Sequence, residues 1–376
     1  IKILNKTIIK KYKEEDKMNN NLTIKGLEEI LQRGIDEGAF PGCTYCLIVN
    51  DKTYFGCLGN KELFPNIISN NIDTIYDMAS LTKVVCTTTC VMKLVEMGLV
   101  RMYDNVQRYL PKFKYDNITI FNLLTHTSGL PEGIPGPKDE LTSEMVWDKI
   151  YEQNLIFNPL EHISYSDINY MLLGKIVEKV SGMPLNEFAD KYIFAPLEMK
   201  DTGYLPKDKE RCAATELRMD KSYEGYVKGQ VHDETAWALG GVAGHAGLFS
   251  TVKDLEHFLK MILNKGVWNG KRILSDAIVN ELFDVKVKEY KGVETHPLAR
   301  CLGWQTKDPY SSSGELCSEE TILHTGFTGT NIFIDRKNNV AWCLLTNRVH
   351  PKRGNVLHMH VRACAANYIM SHKEEF

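Results

Sequence analysis

A chain of 376 residues, 43% hydrophobic and 25% charged, holds enough apolar material for one large two-lobed unit or two domains. Its formal net charge of −3 supplies no general field to gather nucleic acid or an anionic membrane, so selectivity must come from a local site. With no run of about 18 uninterrupted apolar residues, no membrane-spanning helix is expected.

At the start, Lys2, Lys6, Lys10, Lys11, Lys13 and Lys17 stand among isolated isoleucines, without the apolar stretch and cleavage site of a secretory signal. Residues 1–20 therefore read as an N-terminal extension, and a cytoplasmic location is expected. The ten cysteines are scattered, and Cys86, Cys90 and Cys343 lie in strongly apolar stretches. They read as small buried hydrophobes with free thiols rather than as a disulfide framework.

From Leu22 to Glu37, the spacing of Leu27, Ile30, Leu31 and Ile35 predicts a helix. Cys43 to Val49 and Thr53 to Cys57 read as strands joined by a hairpin at Asn50-Asp51-Lys52. Cys43 and Cys46 form a C-x-x-C, but residues three apart on a strand face opposite ways, and no second ligand pair accompanies them. No metal site is expected there. Ala79 to Val100 is apolar almost all round, which predicts a helix in the middle of the molecule.

From about 101 to 239 the pattern is of helices, including Thr119 to His126 and Asp167 to Val180, and long polar loops. Gly240 to Gly247 lacks the Lys-Ser or Lys-Thr of a phosphate-binding loop and predicts a tight turn lining a cleft. A helix follows from Thr251 to Leu263, with Thr251 and Asp254 in a capping arrangement. Thr330 to Ile334 and Val340 to Thr346 read as strands around a turn at Arg336 to Asn339. The second is nearly continuous in apolar residues, as for a strand covered on both faces. A last helix runs from about Gly354 to Met370. Strands at both ends with helices between predict one sheet built from the two termini, beside a helical lobe.

Lys83 sits one turn after Ser80 among Leu81, Val84, Val85 and Cys86, so its amine and the serine hydroxyl share a helix face. Burial lowers a lysine's pKa from about 10.4 and makes it a base for a serine that is otherwise a poor nucleophile. A serine at a helix start also offers its own N–H to a developing oxyanion. Yet Ser-x-x-Lys arises by chance about once in a chain this long at ordinary residue frequencies. Ser250-Thr251-Val252-Lys253 is a second copy, which reads as a helix cap. Tyr165-Ser166-Asp167 stands at the mouth of the helix from Ile168 to Val180. There the phenol can act as acid or base in a cleft, and Ser166 or Asp167 can cap the helix. Tyr115-Asp116-Asn117 has the same shape but lies between charged residues. His324-Thr325-Gly326-Phe327 precedes the last strands. Glycine there lets a substrate approach the strand backbone, and the Phe327 N–H could supply a second oxyanion donor, although taken alone the segment is an ordinary turn. His358 and His360 point about 200° apart on a helix, poorly disposed to share a metal. There is no G-x-S-x-G.

These elements, in this order, resemble the serine β-lactamase and penicillin-binding-protein superfamily, most closely its class C β-lactamase-like branch of esterases, D-aminopeptidases and DD-peptidases. The resemblance runs from about residue 23 to 370 and includes Asp77-Met78-Ala79-Ser80-Leu81-Thr82-Lys83, Leu123 to Pro131, Gly244 to Thr251 and His324 to Thr330. It implies an α+β, β-lactamase/transpeptidase-like fold, with an antiparallel sheet built from both termini and flanked by helices, and a mainly helical second lobe. The α/β lobe would span about 21–78 and 240–376, the helical lobe about 79–239. The resemblance makes Ser80 the acylated nucleophile, Lys83 its proton-accepting partner and Tyr165 the proton relay. Ser80 and Phe327 N–H groups would form the oxyanion hole, with His324, Thr325, Gly326 and Asp167 facing substrate. It calls for no cofactor and no metal, and its partner is a small ester, peptide or β-lactam. Asp167 replaces the family's asparagine and His324 its lysine. Both changes weaken attraction for a carboxylate, so weak or no β-lactamase activity is expected. The alternative is a catalytically silent penicillin-binding sensor of the same fold, for which Ser80, Lys83 and Tyr165 would not all be needed.

Overall fold

The computed structural model describes residues 22–138, 140–220, 223–290, 298–308 and 311–376; the extension expected at 1–20 lies outside them. Its organising element is β1 (Gly42–Val49), which follows helix α1 (22–36) and is buried along its whole length. Side chains of a strand alternate between faces. Cys43, Tyr45, Leu47 and Val49 therefore join an apolar cluster with Leu27, Leu31, Val361 and Ile369, while Cys46 and Ile48 join the larger cluster on the other face. β1 pairs antiparallel with β2 (Lys52–Glu62) through a turn at Asn50, whose φ is 54°.

The helical middle is led by α2 (Thr89–Glu96) and α3 (Asp167–Ser181), and α4 (Val252–Leu263) returns to cover the sheet. The chain then adds β3 (Thr321–Thr325), β4 (Asn331–Asp335), β5 (Val340–Thr346) and the terminal helix α5 (His358–Ser371). Among the described residues the main sheet has nine strands. In order they are Val287–Glu289, Leu298–Arg300, Gln305–Thr306, β3, β4, β5, β1, β2 and Ile68–Ser69, every neighbouring pair antiparallel. The two ends of the chain meet at its centre, Cys46 opposite Cys343 and Leu47 opposite Trp342. This is the expected β-lactamase/transpeptidase-like α+β fold.

Several expectations change in detail. A hairpin, Ala214–Asp220 with Tyr223–Lys228, occurs where helices and loops were read. It is tied to the far end of the chain, Leu217 N–H donating to Pro351 O at 2.9 Å and Asn347 Nδ2 to Ala214 O at 2.9 Å. α5 begins at His358 rather than near Gly354. Asn355 holds the preceding loop, its O accepting from Arg348 Nη1 at 2.7 Å and its Oδ1 from Leu357 N at 2.8 Å. Thr251 caps α4 by accepting from Asp254 N at 3.3 Å. The Asp254 carboxylate instead accepts from Thr202 Oγ1 and Asp201 N, so the reciprocal half of the cap is missing. All ten cysteines are free thiols, and Cys43 and Cys46 face opposite clusters. Among the described residues, no helix is long and apolar enough to cross a membrane.

Candidate active site

Ser80 lies at the start of the buried helix that runs into α2. The chain winds as a 3₁₀ turn over Ala79–Leu81, widens to π winding over Lys83–Thr88 and settles into α2. Leu81, Val84, Val85, Cys86 and Cys90 surround it with apolar contact. Local departures of this kind concentrate at functional sites. Ala79, just before Ser80, has φ 45°, a left-handed conformation that a side chain normally avoids. The buried Asp77 carboxylate fixes it, Oδ1 accepting from Ala79 N at 2.8 Å and Oδ2 from His232 N at 2.7 Å. Burial raises the Asp77 pKa, against the pull of those two N–H groups.

Lys83 is fully buried, and three oxygens account for its three N–H donors: Ser80 Oγ at 3.0 Å, His245 O at 2.9 Å and Asp167 Oδ1 at 2.7 Å. Burial acts to discharge this amine, but the Asp167 carboxylate and the Tyr165 phenol outweigh it, and the Lys83 pKa stands above the ordinary lysine value. This corrects the expectation of a lysine rendered basic by burial. In the resting site Lys83 is an ammonium, because the helix that carries it packs against an aspartate. Asp167 accordingly turns to Lys83 and contributes no wall to the pocket at Ser80.

Tyr165 donates to Ser80 Oγ at 2.8 Å, and the Lys83 ammonium lies 4.9 Å from its ring centroid. Burial raises the phenol's pKa, and the neighbouring ammonium opposes the rise. The loop around it is bound to the segment after Leu124. Ser164 N donates to His126 O at 2.9 Å, Asp167 N to Glu132 O at 2.7 Å and Ser166 Oγ to Pro131 O at 2.6 Å. That last bond spends the hydroxyl expected to cap α3, which has no side-chain cap. The His126 ring, 4.7 Å from that of Tyr165, has its Nδ1 against Ser166 N at 3.1 Å and Asn169 Nδ2 at 3.3 Å. Burial, then Arg300 and Lys83, keep His126 neutral.

At the end of β3, two threonines clamp the next loop to the segment before Ser80. Thr328 Oγ1 donates to Asp77 O at 2.7 Å and Thr330 Oγ1 to Met78 O at 3.0 Å. Gly326 is required at this crossing, since a Cβ would lie 2.1 Å from Thr330 Oγ1 and 2.6 Å from Met78 O. The His324 imidazole, pushed down to about 3 by burial and then by Lys83 and Arg300, is neutral. Its Nδ1 donates to Thr325 O at 2.9 Å, which leaves Nε2 as a bare acceptor among the described residues.

Ser80, Tyr165, His324, Thr325, Gly326 and Phe327 thus share one pocket of about 370 Å³, with Lys83 and Asp167 behind Ser80 and Tyr165. The Gly240 to Gly247 turn is not part of its wall. It packs on α3, where a Cβ at Gly244 would meet Tyr170 O at 2.0 Å, and so delivers the His245 carbonyl to Lys83. Asp167, Asp233 and His245 are the one described group whose donor atoms come within 4.8 Å of one another. Its donors are already engaged: Asp167 with Lys83, and Asp233 Oδ1 with His245 Nε2 and Ala236 N. The look-alike motifs are elsewhere. Ser250 bonds Thr202, Lys253 pairs with Asp73 at the surface, and Tyr115 donates to Gln153 O. Sequence reasoning assigned no role to Asp77, His126, Asn169 or Arg300. The first two lie within the quoted motifs, but Asp77 also holds His232, and His126 holds Ser166 and Asn169, all far off in the chain.

Residues 27–366 match the family profile described as Beta-lactamase. The chain is 33% identical to an N-acetylmuramyl-L-alanine amidase of Bacillus subtilis (strain 168), over 87% of this chain and 81% of that protein. It is 31% identical to a protein of Salmonella gallinarum provisionally named a D-alanyl-D-alanine carboxypeptidase, over 78% and 74% of the two. Among solved structures, EstCE1, described as a hydrolase with promiscuous acyltransferase activity, superposes with a TM-score of 0.74 at 19% identity. The match covers 93% of this chain and 100% of that one, a likeness of fold.

Proposed function

The chain belongs to the β-lactamase family of serine hydrolases, and from that premise we propose that it cleaves ester or amide bonds through an acyl-enzyme on Ser80. The observation that carries this reading is the convergence on one hydroxyl of Lys83 Nζ at 3.0 Å and Tyr165 OH at 2.8 Å.

Protons are accounted for as follows. Lys83 stays an ammonium, held by Asp167, and acts as a fixed cation. Tyr165, once it has lost its own proton, is the group that accepts the Ser80 proton as Oγ attacks the carbonyl carbon. The phenol then returns that proton to the leaving group, later takes one from the deacylating water, and hands it to Ser80 Oγ as the acyl group departs. Charge on the tetrahedral oxygen falls to the N–H groups of Ser80 and Phe327. In support, the Phe327 N–H makes no hydrogen bond among the described residues, and the threonine clamps tie its loop to the Ser80 segment.

The amidase and hydrolase relatives favour a small ester, amide or peptide as substrate. Weak or absent β-lactamase action is supported by two features. Asp167 is spent on Lys83, and the neutral His324 cannot serve as the cation that a lysine would provide.

The test is hydrolysis of 4-nitrophenyl butyrate by the wild type, Ser80→Ala and Ser250→Ala. The expected result is a loss of at least about 10³-fold in Ser80→Ala, with Ser250→Ala unaffected. Full activity in Ser80→Ala would sink the reading.

A further inference from the structure

Next to Lys83 lies a pair of ionisable groups that the acyl-enzyme mechanism leaves idle, Asp233 and His245. His245 is 1% exposed and makes two contacts of different kinds. Its main-chain O accepts from Lys83 Nζ at 2.9 Å, and its Nε2 donates to Asp233 Oδ1 at 2.9 Å. The same Asp233 oxygen accepts from Ala236 N at 2.7 Å and so caps the short helix Glu234–Ala238. Burial acts to raise the pKa of this carboxyl, but the His245 ring, the Ala236 N–H and Lys138 outweigh it and hold Asp233 below the usual carboxylate range.

The chain on either side of His245 is tied to the helix that carries Lys83. Thr87 Oγ1 donates to Gly244 O at 2.6 Å, and Leu248 N donates to Thr82 Oγ1 at 3.1 Å. Between those fixed points stand glycines at 244 and 247, the second with φ 109°, and they leave the peptide after His245 freest to turn. The carbonyl of that peptide is the one Lys83 uses. Among the described residues, the bond to Asp233 is the only one the His245 side chain makes. The residue before Asp233 does matching work for Ser80: His232 N donates to Asp77 Oδ2, while Asp77 Oδ1 holds Ala79 N. Two consecutive residues thus reach both members of the Ser80–Lys83 pair.

We propose that Asp233 is a positioning residue of this hydrolase: by anchoring the His245 imidazole it fixes the carbonyl that keeps the Lys83 ammonium beside Ser80 and Tyr165. The inference rests on the acyl-enzyme reading above. An ammonium that drifts from this place no longer serves as the fixed cation next to the Tyr165 phenol, so the chemical step suffers and substrate binding does not.

The test is a split of kcat from KM, with rescue by a conservative change. Asp233→Ala should lower kcat for 4-nitrophenyl butyrate by roughly 10- to 100-fold, the scale of a slightly misplaced reacting group, with KM changed by less than about threefold. Asp233→Asn keeps an Oδ1 that can accept from both His245 Nε2 and Ala236 N, and should recover most of that loss. Should Asp233→Ala not fold, His245→Ala against His245→Gln, whose Nε2 can donate to Asp233, repeats the comparison from the other partner. Unchanged kcat in Asp233→Ala, a loss carried by KM alone, or an Asp233→Asn variant as slow as Asp233→Ala would overturn the role. The catalytic reading is tested separately, by loss of turnover in Ser80→Ala. Should no ester turn over, the rate at which an alkyl fluorophosphonate labels the wild type, but not Ser80→Ala, takes the place of kcat, and the same pattern among the variants is expected. A wild type that is not labelled would sink the acyl-enzyme reading and this role with it.

Discussion

Asp167 controls the charge of a lysine that its sequence neighbours would have discharged. Around Lys83 stand Asp167, Tyr165 and Tyr170, and its charge is felt by His126 and His324; among the described residues Asp167 is the one carboxylate paired with it. In the proposed mechanism the site becomes competent when the Lys83–Tyr165 pair loses one proton, so kcat/KM should rise with pH through an ionisation belonging to the pair. In Asp167→Asn the negative charge that raises the Tyr165 phenol is gone, the phenol beside the ammonium is easier to deprotonate, and the rising limb should move to lower pH. A pH profile of 4-nitrophenyl butyrate hydrolysis checks this; a limb that stays in place or moves up refutes it. The Ser80–Lys83 spacing was legible because helix geometry alone puts residues three apart on one face. The sign of the lysine's pKa shift was not legible, since it depends on Asp167, which arrives 84 positions later (167 − 83).

The loop from β3 into β4 is an element whose shape is fixed by where it crosses the Ser80 segment. Gly326→Ala would drive a methyl into Thr330 Oγ1 and Met78 O, shifting the strand end and the Phe327 N–H together. Loss of about 10²-fold in kcat/KM is expected, the scale of one displaced oxyanion donor, with little change in far-UV circular dichroism. Unchanged kinetics would mean that the crossing can yield. Strands and helices with strong periodicity were readable, among them β1, β5 and the buried helix after Ala79. The winding of that helix was not, because the 3₁₀ turn and the π stretch answer to Asp77 and to the loop that brings His245 O to Lys83. The hairpin Ala214–Asp220 with Tyr223–Lys228 was missed because it leans on Asn347 and Pro351 rather than burying a clean alternating face.

On the scale of the whole molecule, two apolar clusters grip the central strands from opposite sides. Trp342, fully buried and stacked on Tyr45 at 5.4 Å, anchors the cluster beneath α1 and α5. Trp342→Ala should cost about 3–5 kcal/mol in urea unfolding. Since all ten cysteines are free, adding reductant should leave the melting temperature unchanged. The joining of the two chain ends was legible from the apolar runs at 43–49 and 340–346, and it has a consequence in time. Cys43 faces Thr346 across a gap of 303 positions (346 − 43). A ribosome adding roughly 5–20 residues per second takes about 15–60 s to cross that gap. Through that interval β1 has one flank without its strand, and the Ser80 segment lacks the loop carrying Phe327. Synthesis therefore delivers Ser80, the proposed nucleophile, long before its surroundings, and the proposed acyl-transfer site is complete only as the last strands emerge.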